Sequence, residues 1–289
     1  MHTIAQKKGG ASLDEIEWQD SFLSNNDASF PNDPTGELPN SWGAAEASFH
    51  IRGVTYLKDR KKVKGKGTLI ELVSANMLKS TNKQDDFAGR SGSICQKFAD
   101  MDRPDFFFIV NMQIPAPTAT YHIAFYYETT TPIKDVPLLK NFVDGDDAYR
   151  NARFKLIPRV SKGPWIIKQS VGNRPCLLGQ ILKIQYVRGN NYLELDIDVG
   201  SSTIAKKVAN RVLSSFNNLI VEAAFLIQGN TLEELPEHLL GTCRMSHIDI
   251  SKVPLVVWLI ATLFSSASLS AASEKKLNII VPVSSVKEA

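Results

Sequence analysis

Between Leu193 and Val199 apolar and acidic residues alternate without a break. Leu193, Leu195, Ile197 and Val199 interleave with Glu194, Asp196 and Asp198. Successive side chains of a strand point to opposite faces, so this run predicts a strand with one buried face and one solvated face. Arg188-Gly-Asn-Asn191 supplies the turn of a hairpin over 181–199. Ser201 or Ser202 can then cap a helix. Ile204, Val208, Val212 and Phe216 recur every four residues, Ala205, Ala209 and Leu213 widen the stripe, and Lys206, Lys207, Asn210 and Arg211 face away. A hairpin followed by a helix with one apolar face predicts a helix lying on a sheet, with Val208 and Val212 in the core. An apolar strand over 219–228 follows.

Many strands and few helices are expected elsewhere. Strands are predicted over 48–57 and 68–75 around a lysine-rich turn, and over 106–114 and 121–128 around Pro115-Ala-Pro117. Others are predicted at 155–160, 164–171 and 243–250. Ile94, Cys95, Phe98 and Met101 share one face of a helix over 93–101 that ends at Pro104, and helical pieces cover 137–143, 147–154 and 235–240. Trp165, between Pro164 and two isoleucines, is expected to pack into the core. With no internal repeat and no doubly wound alternation, the fold class is α+β: a mainly antiparallel curved sheet packed against a long amphipathic C-terminal helix, compatible with a START-like helix-grip. Residues 1–46 are expected to form a polar, flexible leader, 47–252 the folded domain, and 253–289 a hydrophobic then polar tail.

Charge and cysteine content narrow the function. With 33 basic and 30 acidic residues, the net charge of +3 is too small to point to nucleic acid. Cys95, Cys176 and Cys243 are odd in number and far apart, and no pair has metal-ligand spacing. The opening MHTIAQKKGG has no apolar stretch, so a cytosol-facing, non-secreted protein is expected.

No constellation of catalytic residues stands out. Glu194, Asp196 and Asp198 could face a hard cation, but alternate strand residues lie roughly 6.5 Å apart. Cross-strand pairing of a solvated row with Lys183 and Gln185 is favoured instead. Asp144-Gly-Asp-Asp147 begins like a calcium loop yet has Ala148 in place of a third ligand and no glutamate at the twelfth position, so a turn with a helix cap is expected. The histidines are scattered, and neither H-E-x-x-H nor G-x-S-x-G occurs. A non-enzymatic protein without metal or cofactor is therefore expected.

Two basic clusters remain as candidate sites for anionic lipid. The first is Lys58, Arg60, Lys61, Lys62, Lys64 and Lys66, opposed only by Asp59; the second is Arg150, Arg153, Lys155 and Arg159, continuing to Lys162. Clusters of this size attract acidic head groups, each cation contributing about 1 kcal/mol near a membrane surface. Solvated turns are the alternative. The partners expected are an anionic lipid or membrane surface, or a protein.

Six segments in fixed order resemble a known family. They are Phe49-His-Ile-Arg-Gly-Val-Thr-Tyr-Leu57, Phe108-Ile-Val-Asn-Met-Gln-Ile-Pro115, Tyr149-Arg-Asn-Ala-Arg-Phe-Lys-Leu-Ile-Pro158, Gly163-Pro-Trp-Ile-Ile-Lys168, Asn191-Tyr-Leu-Glu-Leu-Asp-Ile-Asp-Val-Gly-Ser-Ser202 and Leu235-Pro-Glu-His-Leu-Leu-Gly241. Together they resemble the C-terminal domain of the plant Enhanced Disease Resistance 2 proteins over about residues 40–250. In that family the domain follows a pleckstrin-homology domain and a START domain, in proteins described as negative regulators of pathogen-induced cell death at membranes. Phosphoinositide recognition there is attributed to the pleckstrin-homology part and does not carry over to these residues. The resemblance supplies no catalytic residue. It implies a lipid- or membrane-associated regulatory module, or a protein-interaction scaffold in defence or cell-death regulation.

Beyond the resemblance, Val253 to Ser273 carries no charge, a length that could cross roughly 30 Å of hydrocarbon. Only Leu255 to Phe264 is strongly apolar. A membrane-spanning helix, a packed or interfacial helix and an ill-formed extension are the three readings of this tail.

Overall fold

The computed structural model describes residues 30–90, 92–101, 105–129 and 131–256. Their strands are β1 (Ser41–Gly43), β2 (His50–Arg52), β3 (Lys62–Lys64), β4 (Glu71–Ser80), β5 (Phe106–Pro115), β6 (Thr120–Thr129), β7 (Phe154–Lys162), β8 (Cys176–Leu177), β9 (Lys183–Arg188), β10 (Tyr192–Asp198), β11 (Ile220–Ile227) and β12 (Leu239–Ser246). The α-helices are α1 (Tyr56–Asp59), α2 (Ile94–Asp100), α3 (Pro137–Asp144), α4 (Asp147–Asn151), α5 (Trp165–Val171), α6 (Leu178–Ile181) and α7 (Thr203–Ser214).

Two five-stranded sheets form, in the orders β4-β6-β5-β10-β9 and β1-β12-β11-β7-β8, with β2 and β3 as a separate ribbon. Every named strand pairing is antiparallel except that of β10 with β5. The fold is thus α+β and mainly antiparallel. In place of one curved sheet gripping one long helix, the described residues form two sheets that face each other across a shared core. The predicted helix is α7, only 12 residues long, and two strands follow it.

Strand periodicity assigns each side chain to a layer. Leu193, Leu195 and Ile197 of β10 join Phe108 and Val110 of β5, Phe125 and Tyr127 of β6, and Phe225 of β11 in the central core. Phe154 stacks on Phe225 with ring centroids 5.7 Å apart. Each fully buried Leu, Ile or Phe contributes about 1.5–3 kcal/mol relative to exposure. A second cluster covers the outer face of the first sheet, where α2 and residues 87–88 lie over Phe107, Ile109 and Tyr126. A third, around Phe49, Ile51, Ala224 and Leu226, seats the 45–51 segment and the β2–β3 ribbon on the outer face of the second sheet.

Several expectations hold locally. The hairpin forms with Asp198 opposite Lys183 and Asp196 opposite Gln185. Ser202 caps α7 by accepting the Ala205 amide, and Ser93 caps α2 by accepting that of Gln96. Asp146 caps α4 through the Tyr149 amide, so the Asp144–Asp147 run is a turn and cap.

Others are corrected. The stripe of α7 is rotated: Leu213 is buried, Ala205, Ala209 and Val212 pack at the core margin, Val208 is half-buried, and Ile204 is 78% exposed. The rotation follows from Leu213 and Phe216 occupying the inter-sheet core, which aims the helix by volume instead of by the four-residue repeat. Residues 164–171 are helix, because Gly163 at φ +144 and Pro164 turn the chain out of β7. Helical spacing then sends Ile167 and Val171 inward and leaves Trp165 outward, 73% exposed. The segment 235–240 is not helical; β12 begins at Leu239. Residues expected in the leader include β1, which pairs with β12 and buries Trp42; residues 1–29 lie outside the described residues. At the other end Lys79 on β4 hydrogen-bonds Pro254 and Val256, and Val253 and Val256 are buried, so the fold runs through 256. Residues 257–289 lie outside the described residues, and with them most of the candidate membrane segment. No helix among the described residues is long and apolar enough to cross a membrane.

Candidate functional site

The two basic clusters meet different fates. In the second, Arg150, Arg153, Lys155 and Arg159 are each engaged by a carboxylate, while Lys162 at the end of β7 is exposed. Arg150 donates to the Phe142 and Val143 carbonyls at the end of α3 and pairs with Asp147 at 2.9 Å. Alternation along β7 sends Lys155, Ile157 and Arg159 to the outer face. There Lys155 meets Glu237 in a buried ion pair and Arg159 meets Glu222 at 2.6 Å. Arg153 meets Glu234 at 3.1 Å. Glu237 is a hub, since it also accepts the Arg52 amide at 2.9 Å and the Gly229 amide at 3.3 Å. Arg150, Arg153, Lys155 and Arg159 therefore belong to a structural ion-pair network.

The first cluster stays free. The β2–β3 register sets His50 opposite Lys64 and Arg52 opposite Lys62. Lys62 and Lys64 therefore share the ribbon face of Arg52, while Ile51 anchors the opposite side in the third apolar cluster. Like charges facing each other across a ribbon are unfavourable, and Glu237, 3.7 Å from Arg52, offsets part of that cost. Lys58, Arg60, Lys61, Lys62, Lys64 and Lys66 are all exposed, and among the described residues none forms an ion pair. Asp59, whose carboxylate accepts the Lys61 amide and the Thr55 hydroxyl, forms no ion pair with them and offsets at most one of the six charges. Those bonds hold it below the usual carboxylate range, so it stays ionised. What results is an exposed cationic edge on a ribbon bolted to the second sheet.

The acidic row of β10 is the largest departure from expectation. Glu194 and Asp196 are buried, not solvated. The 84–90 segment crosses over them, and its successive amides at Asp86, Phe87 and Ala88 donate to the two carboxyl groups at 3.1, 2.9 and 2.7 Å. Asn111 donates to Asp196 at 2.6 Å. Burial raises both above the normal carboxylate range; for Asp196, burial and then the neighbouring Glu194 push it up to about 9. Nearby, burial and then Arg90 hold His122 down to about 4, and its Nε2 lies 3.0 Å from the Ser80 hydroxyl. Asp198, at the strand end, pairs with Lys83 at 2.5 Å. Chemically this is a locked acid pair that ties a strap to a strand. Among the described residues no group of three or more His, Cys, Asp or Glu is arranged to hold a metal ion.

Comparison with known proteins bears on which of these features matters. The family model for Protein ENHANCED DISEASE RESISTANCE 2, C-terminal, matches residues 42–249. The chain belongs to this family. A relative described as Protein ENHANCED DISEASE RESISTANCE 2-like, from Arabidopsis thaliana, is 41% identical over 221 residues, covering 76% of this chain. The chain spans about a third of that relative's length, 30%. No solved structure matches.

Within this Enhanced Disease Resistance 2 C-terminal domain, sequence reasoning missed the strap. Its signal was faint: Gln84-Asp-Asp-Phe-Ala88 is polar, and a polar run is normally loop. The exposure of Trp165 was also missed, because apolar neighbours in sequence argue for burial whenever the secondary structure is misassigned.

Proposed function

We propose that this domain is a non-enzymatic regulatory module that attaches to an anionic lipid surface through the β2–β3 ribbon, within a protein acting in plant defence or cell-death regulation. One observation carries the reading: the six cations from Lys58 to Lys66 are exposed and form no ion pair among the described residues, whereas Arg150, Arg153, Lys155 and Arg159 are each neutralised. A cationic edge gains about 1 kcal/mol per residue near an acidic leaflet, and the gain fades as salt shortens the Debye length from about 30 Å at 0.01 M to about 8 Å at 0.15 M. The family description and the Arabidopsis relative's name support the defence context. Because 253–256 are built into the first sheet, any membrane-inserting tail starts after Val256.

Co-sedimentation with vesicles tests this. Wild-type protein should pellet with phosphatidylserine-containing vesicles at low salt and much less with phosphatidylcholine alone. Replacing Lys61, Lys62, Lys64 and Lys66 by Gln should remove most of that binding while the melting temperature holds. Equal binding by the Gln variant would refute the ribbon.

A protein-interaction or scaffold role is the second reading. It is favoured by β9, an edge strand whose outer side has no strand partner among the described residues, as in β-strand addition.

A further inference from the structure

Helices α5 and α7 pack against each other at the core margin, joined by an Arg211 to Ser170 hydrogen bond of 2.8 Å. Their inner faces, Ile167 and Val171 on one and Ala205, Ala209 and Leu213 on the other, enter the same central core. Two adjacent helices seated on one core turn their outer faces to the same side of the molecule. On those outer faces stand Trp165, Ile166 and Ile204, which are 73, 53 and 78% exposed. Ile204 and Trp165 are the two most exposed large apolar side chains among the described residues. Trp is costly to leave in water, and it favours a boundary where one end of the ring is apolar and the other wet.

Along the chain, the charge of these two helices is one-sided. No Asp or Glu occurs between Asp147 and Glu194, nor between Asp198 and Glu222. The two helices and their flanks therefore carry Lys162, Lys168, Arg174, Lys206, Lys207 and Arg211 with no acidic residue among them. All six are exposed. Unlike Arg150, Arg153, Lys155 and Arg159, none has an ion-pair partner among the described residues. A protein partner docking here would need both an apolar pocket and an acidic rim. An anionic bilayer supplies both at once, apolar chains beneath a layer of negative charge.

We infer that α5 and α7 form a second membrane-contacting surface, in which Trp165 and Ile166 enter the interfacial layer of an anionic bilayer and the six surrounding cations engage its head groups. This rests on the lipid-surface reading above but assigns a different face from the ribbon. Apolar entry gives it a distinct signature, since a purely electrostatic contact leaves a surface Trp in water, whereas insertion moves the ring into a less polar layer.

The test uses the full chain with Trp18 and Trp258 replaced by Phe, leaving buried Trp42 and exposed Trp165 as fluorophores. Phosphatidylserine-containing vesicles should shift emission to the blue, and brominated acyl chains should quench it. Phosphatidylcholine vesicles should do neither. Trp165→Ala should abolish the shift with an unchanged circular dichroism spectrum. Replacing Lys206 and Lys207 by Gln should lower the partition coefficient by about tenfold or more. Vesicle binding with no shift or quench of Trp165 would overturn this inference and leave the ribbon reading intact. Absence of binding to any anionic vesicle at low salt would overturn both.

Discussion

The Glu194 carboxylate accepts the Ala88 amide at 2.7 Å, joining residues 106 apart in sequence. That bond, the Phe87 amide beside it and the Asp86 contact to Asp196 hold the strap over the first sheet. An acid pair in this position makes stability depend on pH.

Asp196 is raised from the ordinary 3.8 to about 9 and Glu194 is also raised, both chiefly by burial. The folded state therefore retains a proton that the unfolded chain releases above about pH 4. The associated stabilisation is complete below that pH and is lost as pH climbs toward about 9. Melting temperature should fall between pH 5 and 8.5. Asp196→Asn keeps the neutral form at every pH and should flatten that slope; a slope unchanged in the variant would show that other groups set it.

Glu237 carries three structural contacts, with Lys155, Arg52 and Gly229. Glu237→Ala leaves Lys155 buried and unpaired, which should cost about 3–5 kcal/mol in urea unfolding. Replacing both partners, Lys155→Met with Glu237→Leu, should recover part of the loss. Loss of less than about 1 kcal/mol in the single variant would mean that the pair is already solvated.

The rotation of α7 separates two substitutions of similar chemistry. Leu213 is 4% exposed and Ile204 78%. Leu213→Ala should cost about 2–5 kcal/mol, whereas Ile204→Ala should stay within about 0.5 kcal/mol. Reversed costs would restore the orientation expected from the four-residue repeat.

Gly163 sits at φ +144, and a Cβ there would come 2.3 Å from Leu219 Cδ2. Gly163→Ala should therefore destabilise by more than the about 0.5 kcal/mol of an ordinary surface change, and it should alter Trp165 emission by displacing α5.

Local rules made much of the fold legible in advance. The alternation from Leu193 to Val199 specifies a strand because a pleated backbone has a period of two, and Ser93, Asp146 and Ser202 specify helix starts because their oxygens meet free amides. Six ordered segments also carried the family, as residues 42–249 bear out. All of this depends on neighbours in the chain.

Burial depends on what arrives from elsewhere. Nothing within Tyr192–Asp198 reveals that residues 84–90 cross over Glu194 and Asp196, so an acidic strand face that looked solvated became a locked acid pair. Arg153, Lys155 and Arg159 looked as free as Lys61, Lys62 and Lys64 until Glu234, Glu237 and Glu222 came to meet them from residues 63 or more positions away. Sequence determines which backbone each segment prefers and which faces are charged. The tertiary structure alone decides which charges find partners, because ion pairing requires contact within a few ångströms and the chain's folding path, not its local pattern, brings the partners together.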